Sequence, residues 1–244
     1  MGVRNKHTRV LINILKDNIG NIFKMYPRLV HLAKNPDKYP FDVRYNYILQ
    51  IVSAVLKACN VELDVQGLEN IPEEDGLFVC ANHQDKLDAL VMWESFPRTL
   101  GVVIDGSASQ RHFAREMFNM IPAIAMFKDD MRSMMKSIEN LSKELANKIN
   151  YLIFPEGKYE DDCKSLLPFS GGSFKAAVKA NSIIQPVAIV NCNHVYDEGF
   201  KKPFKVQVHY LKPITPTEYK GMKTVELANM VQEKIQSIVS QFQI

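Results

Sequence analysis

Short apolar stretches alternate with amphipathic ones along most of this chain, and this alternation constrains the fold more than any other feature. Short apolar stretches bounded by turn residues are typical of buried strands. The predicted strands are Val61–Val65, Leu77–Ala81, Leu100–Ile104, Ile121–Phe127, Tyr151–Phe154, Ile183–Val190 and Phe204–Tyr210. The predicted helices between and after them are Asp88–Ser95, Gln110–Phe118, Asp130–Asn147, Phe174–Ala180 and Thr224–Phe242. Such alternation predicts an α/β fold, with a mostly parallel mixed sheet covered by helices.

The first 59 residues have a different pattern. Apolar residues recur at helical spacing through residues 7–33, at Leu11, Leu15, Ile19, Ile22, Phe23, Tyr26 and Val30. Gly20 and Pro27 are expected to weaken or kink this helix. A second helix is predicted at Phe41–Cys59. We therefore divide the chain into an N-terminal amphipathic helical segment, residues 1–59, and an α/β domain, residues 60–244.

The N-terminal segment is also basic. Residues 1–36 contain seven Lys and Arg against Asp17 alone, a balance of +6, and because the whole chain carries +3 the remainder carries −3. The pattern indicates a polyanionic partner. Apolar rather than aromatic residues separate the cations, which favours an anionic membrane surface over nucleic acid. The alternative is a helix that packs on the core or on a second copy. No apolar run reaches the ~20 residues of a membrane span.

An imidazole and a carboxylate follow directly after the strand at Leu77–Ala81. His83 and Asp88 lie in Asn82-His83-Gln84-Asp85-Lys86-Leu87-Asp88. In a regular helix these two positions would point about 140° apart, so the side chains meet only if the backbone turns between them. A carboxylate that orients an imidazole leaves the other ring nitrogen able to take a proton. The pair predicts a general base, and a hydrogen-bonded loop histidine beside a helix cap is the alternative.

A second short segment follows the strand at Tyr151–Phe154. In Phe154-Pro155-Glu156-Gly157, Pro155 ends the strand and Gly157 permits a tight turn with close approach to the backbone. The carboxyl ends of strands are where open α/β sheets bind ligands. Both segments are therefore expected at one edge of the sheet, although an exposed turn with an acidic residue has the same sequence.

Together the two segments resemble the glycerophospholipid acyltransferase family, and within it the bacterial 1-acylglycerol-3-phosphate acyltransferases. That family carries Asn-His-x4-Asp and Phe-Pro-Glu-Gly-Thr-Arg in this order. Two further segments, Pro168–Lys175 and Gln185–Val190, are similar to its later blocks. The resemblance covers roughly residues 60–212.

The resemblance implies a role for each site residue. It makes His83 the general base, Asp88 its orienting partner, and Glu156 and Gly157 part of the acceptor site. Where the family continues with Thr-Arg, whose arginine binds phosphate, this chain has Lys158-Tyr159, and acidic residues follow at 160–162. Lys keeps the charge but loses the bidentate fork. The remaining candidate phosphate ligands are Lys128, Arg111 and Arg115, for which a solvated surface cation is the alternative.

A metal site is a weaker interpretation of the same residues. His83, Asp85 and Asp88 would need a further protein ligand, and the other histidines lie in unrelated contexts. The four cysteines contain no Cys-x-x-Cys spacing, which indicates neither zinc nor a redox pair and is typical of a reducing cytosol. We predict that no cofactor is required.

These observations predict a peripheral enzyme on the cytoplasmic face of the cell membrane. It is expected to move a fatty acyl group from acyl carrier protein or acyl-CoA to lysophosphatidate, giving phosphatidate, with no nucleic-acid partner. The alternatives are the same chemistry on glycerol 3-phosphate or another lysophospholipid, a non-catalytic membrane-binding protein on this scaffold, and a metal-dependent hydrolase.

Overall fold

A seven-stranded sheet forms the centre of the molecule in the computed structural model, which describes residues 19–109, 112–127, 129–158, 166–196 and 203–242. The strand order is β1-β7-β6-β2-β5-β3-β4. The strands are β1 (Val61–Gln66), β2 (Phe78–Ala81), β3 (Gly101–Asp105), β4 (Ala123–Met126), β5 (Tyr151–Ile153), β6 (Ile184–Val190) and β7 (Phe204–Tyr210). Each coincides with a predicted strand to within two residues.

Five neighbouring strands run in the same direction. Strand β2 pairs in parallel with both β5 and β6, and β3 pairs in parallel with β4 and β5. Strand β7 is antiparallel to β6, and β1 runs parallel to β7. The sheet is thus mixed and mostly parallel, which confirms the predicted fold class. As a consequence, the carboxyl ends of β2 and β5 lie side by side at one edge.

Helices cover both faces of this sheet. They are α1 (Ile19–Ala33), α2 (Phe41–Ala58), α3 (Asp88–Ser95), α4 (Gly106–Ser109), α5 (His112–Phe118), α6 (Met131–Ala146), α7 (Lys175–Ala180), α8 (Pro216–Tyr219) and α9 (Thr224–Phe242), with 3-10 turns at Leu68–Asn70, Gly171–Phe174 and Cys192–Tyr196. Local sequence starts several of them. The Asp130 side chain accepts from the N–H groups of Arg132 and Ser133 at the start of α6, and Thr215 and Glu218 form a capping box on α8.

Alternate residues of the central strands supply two separate apolar cores. In β2, Val79 and Ala81 join the core beneath α2 and α3, whereas Phe78 and Cys80 join the core beneath α6, α7 and α9. All four side chains are fully buried. This is the period-2 pattern of a strand covered on both faces, and it explains why β2 reads as a continuous apolar run.

The described part of the N-terminal segment packs on the first of these cores. Leu29 and Leu32 of α1 and Ile48 of α2 are buried there, while Lys24 and Tyr26 are exposed. Helix α1 runs through Pro27 as one element, Ile19–Ala33, and the expected kink or weakening at Pro27 stays a prediction. Residues 7–18 of the predicted helix lie outside the described residues. Among those that are described, no helix is both long and apolar enough to cross a membrane.

Candidate active site

His83 and Asp88 meet at the carboxyl end of β2. The Nδ1 atom of His83 lies 2.7 Å from Oδ2 of Asp88. The strand ends at Ala81, and the chain turns through residues 85–87 before α3 begins at Asp88. Within that turn the Leu87 N–H donates to Oδ1 of Asp85 at 3.1 Å. The turn that the five-residue spacing required is therefore present.

Three donors converge on one oxygen of Asp88. Besides the imidazole, the N–H groups of Gln84 and Asp85 donate to Oδ2 at 2.5 and 2.8 Å. The side chain is fully buried, and within the described part of the chain Oδ1 has no hydrogen-bond partner. Asp88 caps the turn before α3, not the helix itself. Because a carboxylate only accepts, Nδ1 carries the imidazole proton and Nε2 is left as the basic nitrogen.

The plane of the imidazole is fixed by a neighbouring strand. The His83 ring stacks on Phe154, with ring centroids 4.2 Å apart and an interplanar angle of 18°. Phe154 follows directly after β5, which pairs with β2. Only 18% of the His83 side chain is exposed. Stacking and the Asp88 contact together leave the ring little freedom. No sequence pattern predicted the stacking of His83 on Phe154.

Glu156 joins the two sequence segments through the backbone. Its Oε1 accepts from the His83 N–H at 2.7 Å, and its Oε2 accepts from the Leu167 N–H at 2.7 Å. The resemblance implied that Glu156 accepts from substrate hydroxyls, and that role stays a prediction. In the structure each carboxylate oxygen already accepts one backbone N–H, so Glu156 fixes the position of the His83 backbone.

Burial raises the pKa of Glu156 from its ordinary 4.5 to about 7. The two backbone N–H donors and the nearby His83 oppose this rise, whereas the negative charge of Asp88 adds to it. Desolvation dominates because the carboxyl lies largely shielded from water between two strand ends. Near neutral pH the group is therefore close to the midpoint of its titration.

Polar side chains next to the pair tie β2 to β6. The Asn82 side chain both donates to the carbonyl of Ile189, at 2.9 Å, and accepts from the Ile189 N–H, at 2.7 Å. Gln84 accepts from the Cys192 N–H at 2.9 Å. Asn82 and Gln84 are buried. They continue the ladder of the two strands beyond β2, so the turn that carries His83 is held on both sides.

The turn after β5 matches the expectation for a glycine. Gly157 has φ of 69°, in the left-handed region that favours glycine, and its N–H donates to the Phe154 carbonyl at 3.0 Å. The next residue, Lys158, is exposed. The Pro155 carbonyl accepts from the Ser170 N–H at 3.0 Å, which brings the segment after the turn back against it.

Three further residues were predicted as phosphate ligands, and the structure describes one of them. Lys128 and Arg111 lie outside the described residues. Arg115 belongs to α5, its side chain is 51% exposed, and its Nη2 lies 3.3 Å from the buried Glu116 carboxylate. In the parts of the chain that the structure describes, no three His, Cys, Asp or Glu side chains come together as a possible set of metal ligands.

The structure is an α/β fold with a histidine and a buried aspartate in contact at the carboxyl edge of its sheet. The acyltransferase family matches this sequence over residues 62–190, more than half of the chain. The chain belongs to that family and is an acyltransferase.

Individual relatives agree with this assignment. A Mycoplasma pneumoniae protein named probable 1-acyl-sn-glycerol-3-phosphate acyltransferase is 25% identical over 227 residues, which cover 86% of this chain and 85% of that protein. The Borreliella burgdorferi 1-acyl-sn-glycerol-3-phosphate acyltransferase is 22% identical over 72% of this chain and 70% of that protein. The crystal structure of the 1-acyl-sn-glycerophosphate (LPA) acyltransferase PlsC from Thermotoga maritima has the same fold, with a TM-score of 0.75 and 20% sequence identity. The match covers 98% of this chain and 96% of that chain.

Proposed function

We propose that this enzyme transfers a fatty acyl group from acyl carrier protein or acyl-CoA to lysophosphatidate, giving phosphatidate, with His83 as the general base. The observation that carries the proposal is the 2.7 Å contact between Nδ1 of His83 and Oδ2 of Asp88. It keeps the proton on Nδ1 and the lone pair on Nε2, as a base that deprotonates a hydroxyl requires.

The proposed reaction needs no covalent intermediate on the protein. Nε2 of His83 takes the proton as the acceptor hydroxyl oxygen attacks the thioester carbonyl. The new C–O bond forms, the C–S bond breaks, and the proton passes from the imidazolium to the departing thiolate. Asp88 stabilises the imidazolium in between, and Glu156 and the Phe154 ring hold the imidazole in place for the attack.

The acceptor is proposed from the family relationship and from the cations around the site. Lys158 follows the Gly157 turn, and Lys128, Arg111 and Arg115 are the other proposed phosphate ligands. A lysine meets phosphate as a point charge, not as a fork. Because Lys158-Tyr159 stands where the family has Thr-Arg, the same chemistry on glycerol 3-phosphate or another lysophospholipid is the second candidate function.

Membrane association is part of the proposal. Residues 1–59 would form a membrane-associating segment beside an acyltransferase domain at 60–244, with the enzyme peripheral on the cytoplasmic face of the cell membrane. The excess of +6 within residues 1–36 and the exposed Lys24 and Tyr26 on α1 support contact with anionic lipid. An acceptor that resides in a bilayer requires such contact.

A direct assay tests the proposal. Wild type and His83→Ala are compared on vesicles with labelled acyl-ACP and acyl-CoA against lysophosphatidate, glycerol 3-phosphate and lysophosphatidylcholine. Transfer to lysophosphatidate by wild type alone supports the proposal. Transfer to a different acceptor only would establish the second candidate function, and equal transfer by His83→Ala would refute the role of the base.

A further inference from the structure

The segment Leu166–Ser170 lies between the Glu156 turn and the C-terminal helix α9, and it is bonded alternately to the two. The Leu167 and Ser170 N–H groups donate to Glu156 and to the Pro155 carbonyl. The Leu166 and Phe169 N–H groups donate instead to side chains of α9. One short segment therefore connects a helix on the surface with the turn that holds the His83 backbone.

Two glutamines of α9 supply those contacts. Oε1 of Gln232 accepts from the Phe169 N–H at 2.8 Å, and Oε1 of Gln236 accepts from the Leu166 N–H at 3.4 Å. They are four residues apart and so lie on one face of the helix. A second hydrogen bond orients the Gln236 amide, because its Nε2 donates to the Ser240 hydroxyl at 2.9 Å.

The buried apolar face of α9 fixes the position of these glutamines. Leu227, Val231 and Ile235 are fully buried in the core beneath the helix. At its start, a Cβ added to Gly171 would lie 2.9 Å from the Val225 side chain and 3.0 Å from the Val225 backbone nitrogen, so the chain after Ser170 packs tightly against α9. The buried apolar residues dock the helix, and Gln232 and Gln236 add hydrogen bonds that hold the segment.

We propose that Gln232 and Gln236 are positioning residues of the active site, which hold Leu166–Ser170 so that the Leu167 N–H engages Glu156 and Glu156 in turn fixes the His83 backbone. This inference rests on the proposed function, because the glutamines are proposed to position His83, the proposed general base. Neither glutamine is proposed to touch the substrate. Gln232 is expected to contribute more, since its contact is 2.8 Å and that of Gln236 is 3.4 Å.

Substitutions that keep shape but remove the acceptor oxygen test the inference. Gln232→Met retains length and helix propensity and leaves the Phe169 N–H without its partner. Gln232→Glu keeps an acceptor oxygen at the same reach and serves as the rescue variant. Gln241→Met is the matched control, because its amide donates to the Ser237 carbonyl of the same helix.

The measurements are steady-state transfer in the full-length enzyme and amide hydrogen exchange of its peptides. Gln232→Met is expected to lower kcat about five- to ten-fold, the effect of losing one ordinary hydrogen bond, with KM for the acyl donor unchanged. Gln236→Met should lower kcat less. Exchange at Leu167 and His83 should become faster in Gln232→Met, while Gln232→Glu and Gln241→Met resemble wild type.

Hydrogen exchange separates this inference from the proposed function. If His83→Ala retains transfer but Gln232→Met speeds exchange at Leu167 and His83, the base assignment fails while the positioning contact stands. If His83→Ala abolishes transfer but Gln232→Met has wild-type kcat and exchange, the inference is overturned. A fall in kcat that Gln232→Glu does not rescue, or that Gln241→Met reproduces, also overturns it, because the acceptor oxygen would then not be the cause.

Discussion

Glu156 and His83 are joined by a hydrogen bond of 2.7 Å from the His83 N–H to Oε1 of Glu156, across 73 residues of sequence. The bond acts on the backbone of His83, whereas Asp88 acts on its ring. The imidazole is thus fixed from two sides, by a carboxylate on each of two adjacent strand ends. This relationship unites the two segments that resemble the family into one site.

Loss of either member of the His83–Asp88 pair is expected to remove activity without unfolding the protein. His83→Ala removes the basic nitrogen, and a lost general base usually costs ~10²–10⁴ in rate. Asp88→Asn puts an amide where three donors converge, so one oxygen remains and the ring loses its orienting charge. Initial rates, with thermal unfolding as the check on folding, decide the outcome. Near wild-type turnover in His83→Ala would contradict the mechanism.

The raised pKa of Glu156 predicts a pH dependence of stability with a definite sign. The unfolded chain ionises this group near 4.5, but the folded protein keeps its proton until about pH 7. Folding stability therefore falls as pH rises from about 4.5 to 7 and is level beyond. At about 1.4 kcal/mol per pKa unit, the loss over the rise from 4.5 to about 7 is about 3.5 kcal/mol. Glu156→Gln cannot ionise, so its unfolding free energy should vary less over this range.

Urea unfolding of wild type and variant at pH 5 and pH 8 measures this difference. Other titrating groups are common to both proteins and cancel in the comparison. Glu69→Gln is the matched control, because Glu69 is exposed, and it should follow the wild-type curve. Parallel curves for wild type and Glu156→Gln would show that burial of Glu156 does not govern this window.

Much of the architecture could be predicted from the sequence, because central strands such as β2 and β5 are short apolar runs bounded by turn residues. Strands β1 and β7 instead alternate apolar with polar residues. The ends of β7 and α9 were predicted to the residue. The reversed direction of β1 and β7 depends on pairing across long stretches of chain, which local periodicity does not encode. Helix α1 runs through Pro27 as one element, and Leu29 and Leu32, which follow Pro27, are buried.

The site was predicted in part. The His83–Asp88 contact followed from five-residue spacing at a strand end and from the resemblance. The contacts of Glu156 with the backbone did not, because a side chain that bonds an N–H 73 residues away carries no local pattern. The same applies to Gln232 and Gln236, which look like ordinary polar positions on an amphipathic helix.

The proposed phosphate ligands predict a selective effect on the acceptor. Lys128→Ala/Lys158→Ala is expected to raise KM for lysophosphatidate more than KM for the acyl donor, since charge-assisted contacts contribute roughly 1.5–3 kcal/mol. Lys158→Arg supplies the guanidinium fork that the family's arginine provides and should leave activity on a phosphorylated acceptor undiminished. Lys220→Ala, an exposed lysine on the chain after α8, is the control. An unchanged KM for lysophosphatidate in the double variant would remove both lysines from the site.

Membrane docking is predicted to depend on the cations of residues 1–36. Deleting the whole segment would uncover the core, because Leu29 and Leu32 of α1 are buried, so neutralising substitutions give a cleaner test. Arg4, Lys6, Arg9 and Lys16 are changed together to Gln. Each cation near an anionic surface contributes about 1 kcal/mol, so the variant should bind anionic vesicles far more weakly than wild type does.

Flotation on vesicles with and without anionic lipid, at low and high salt, measures this docking. Wild-type binding should require anionic lipid and weaken as salt is added. Transfer to lysophosphatidate in vesicles should fall with binding, while transfer to a short-chain soluble acceptor should persist because His83, Asp88 and Glu156 are unaltered. Lys220→Gln/Lys223→Gln removes two exposed cations far along the sequence and should float as wild type does. If the fourfold variant floats as well as wild type, or if wild-type binding does not depend on anionic lipid, the N-terminal segment has a packing role instead.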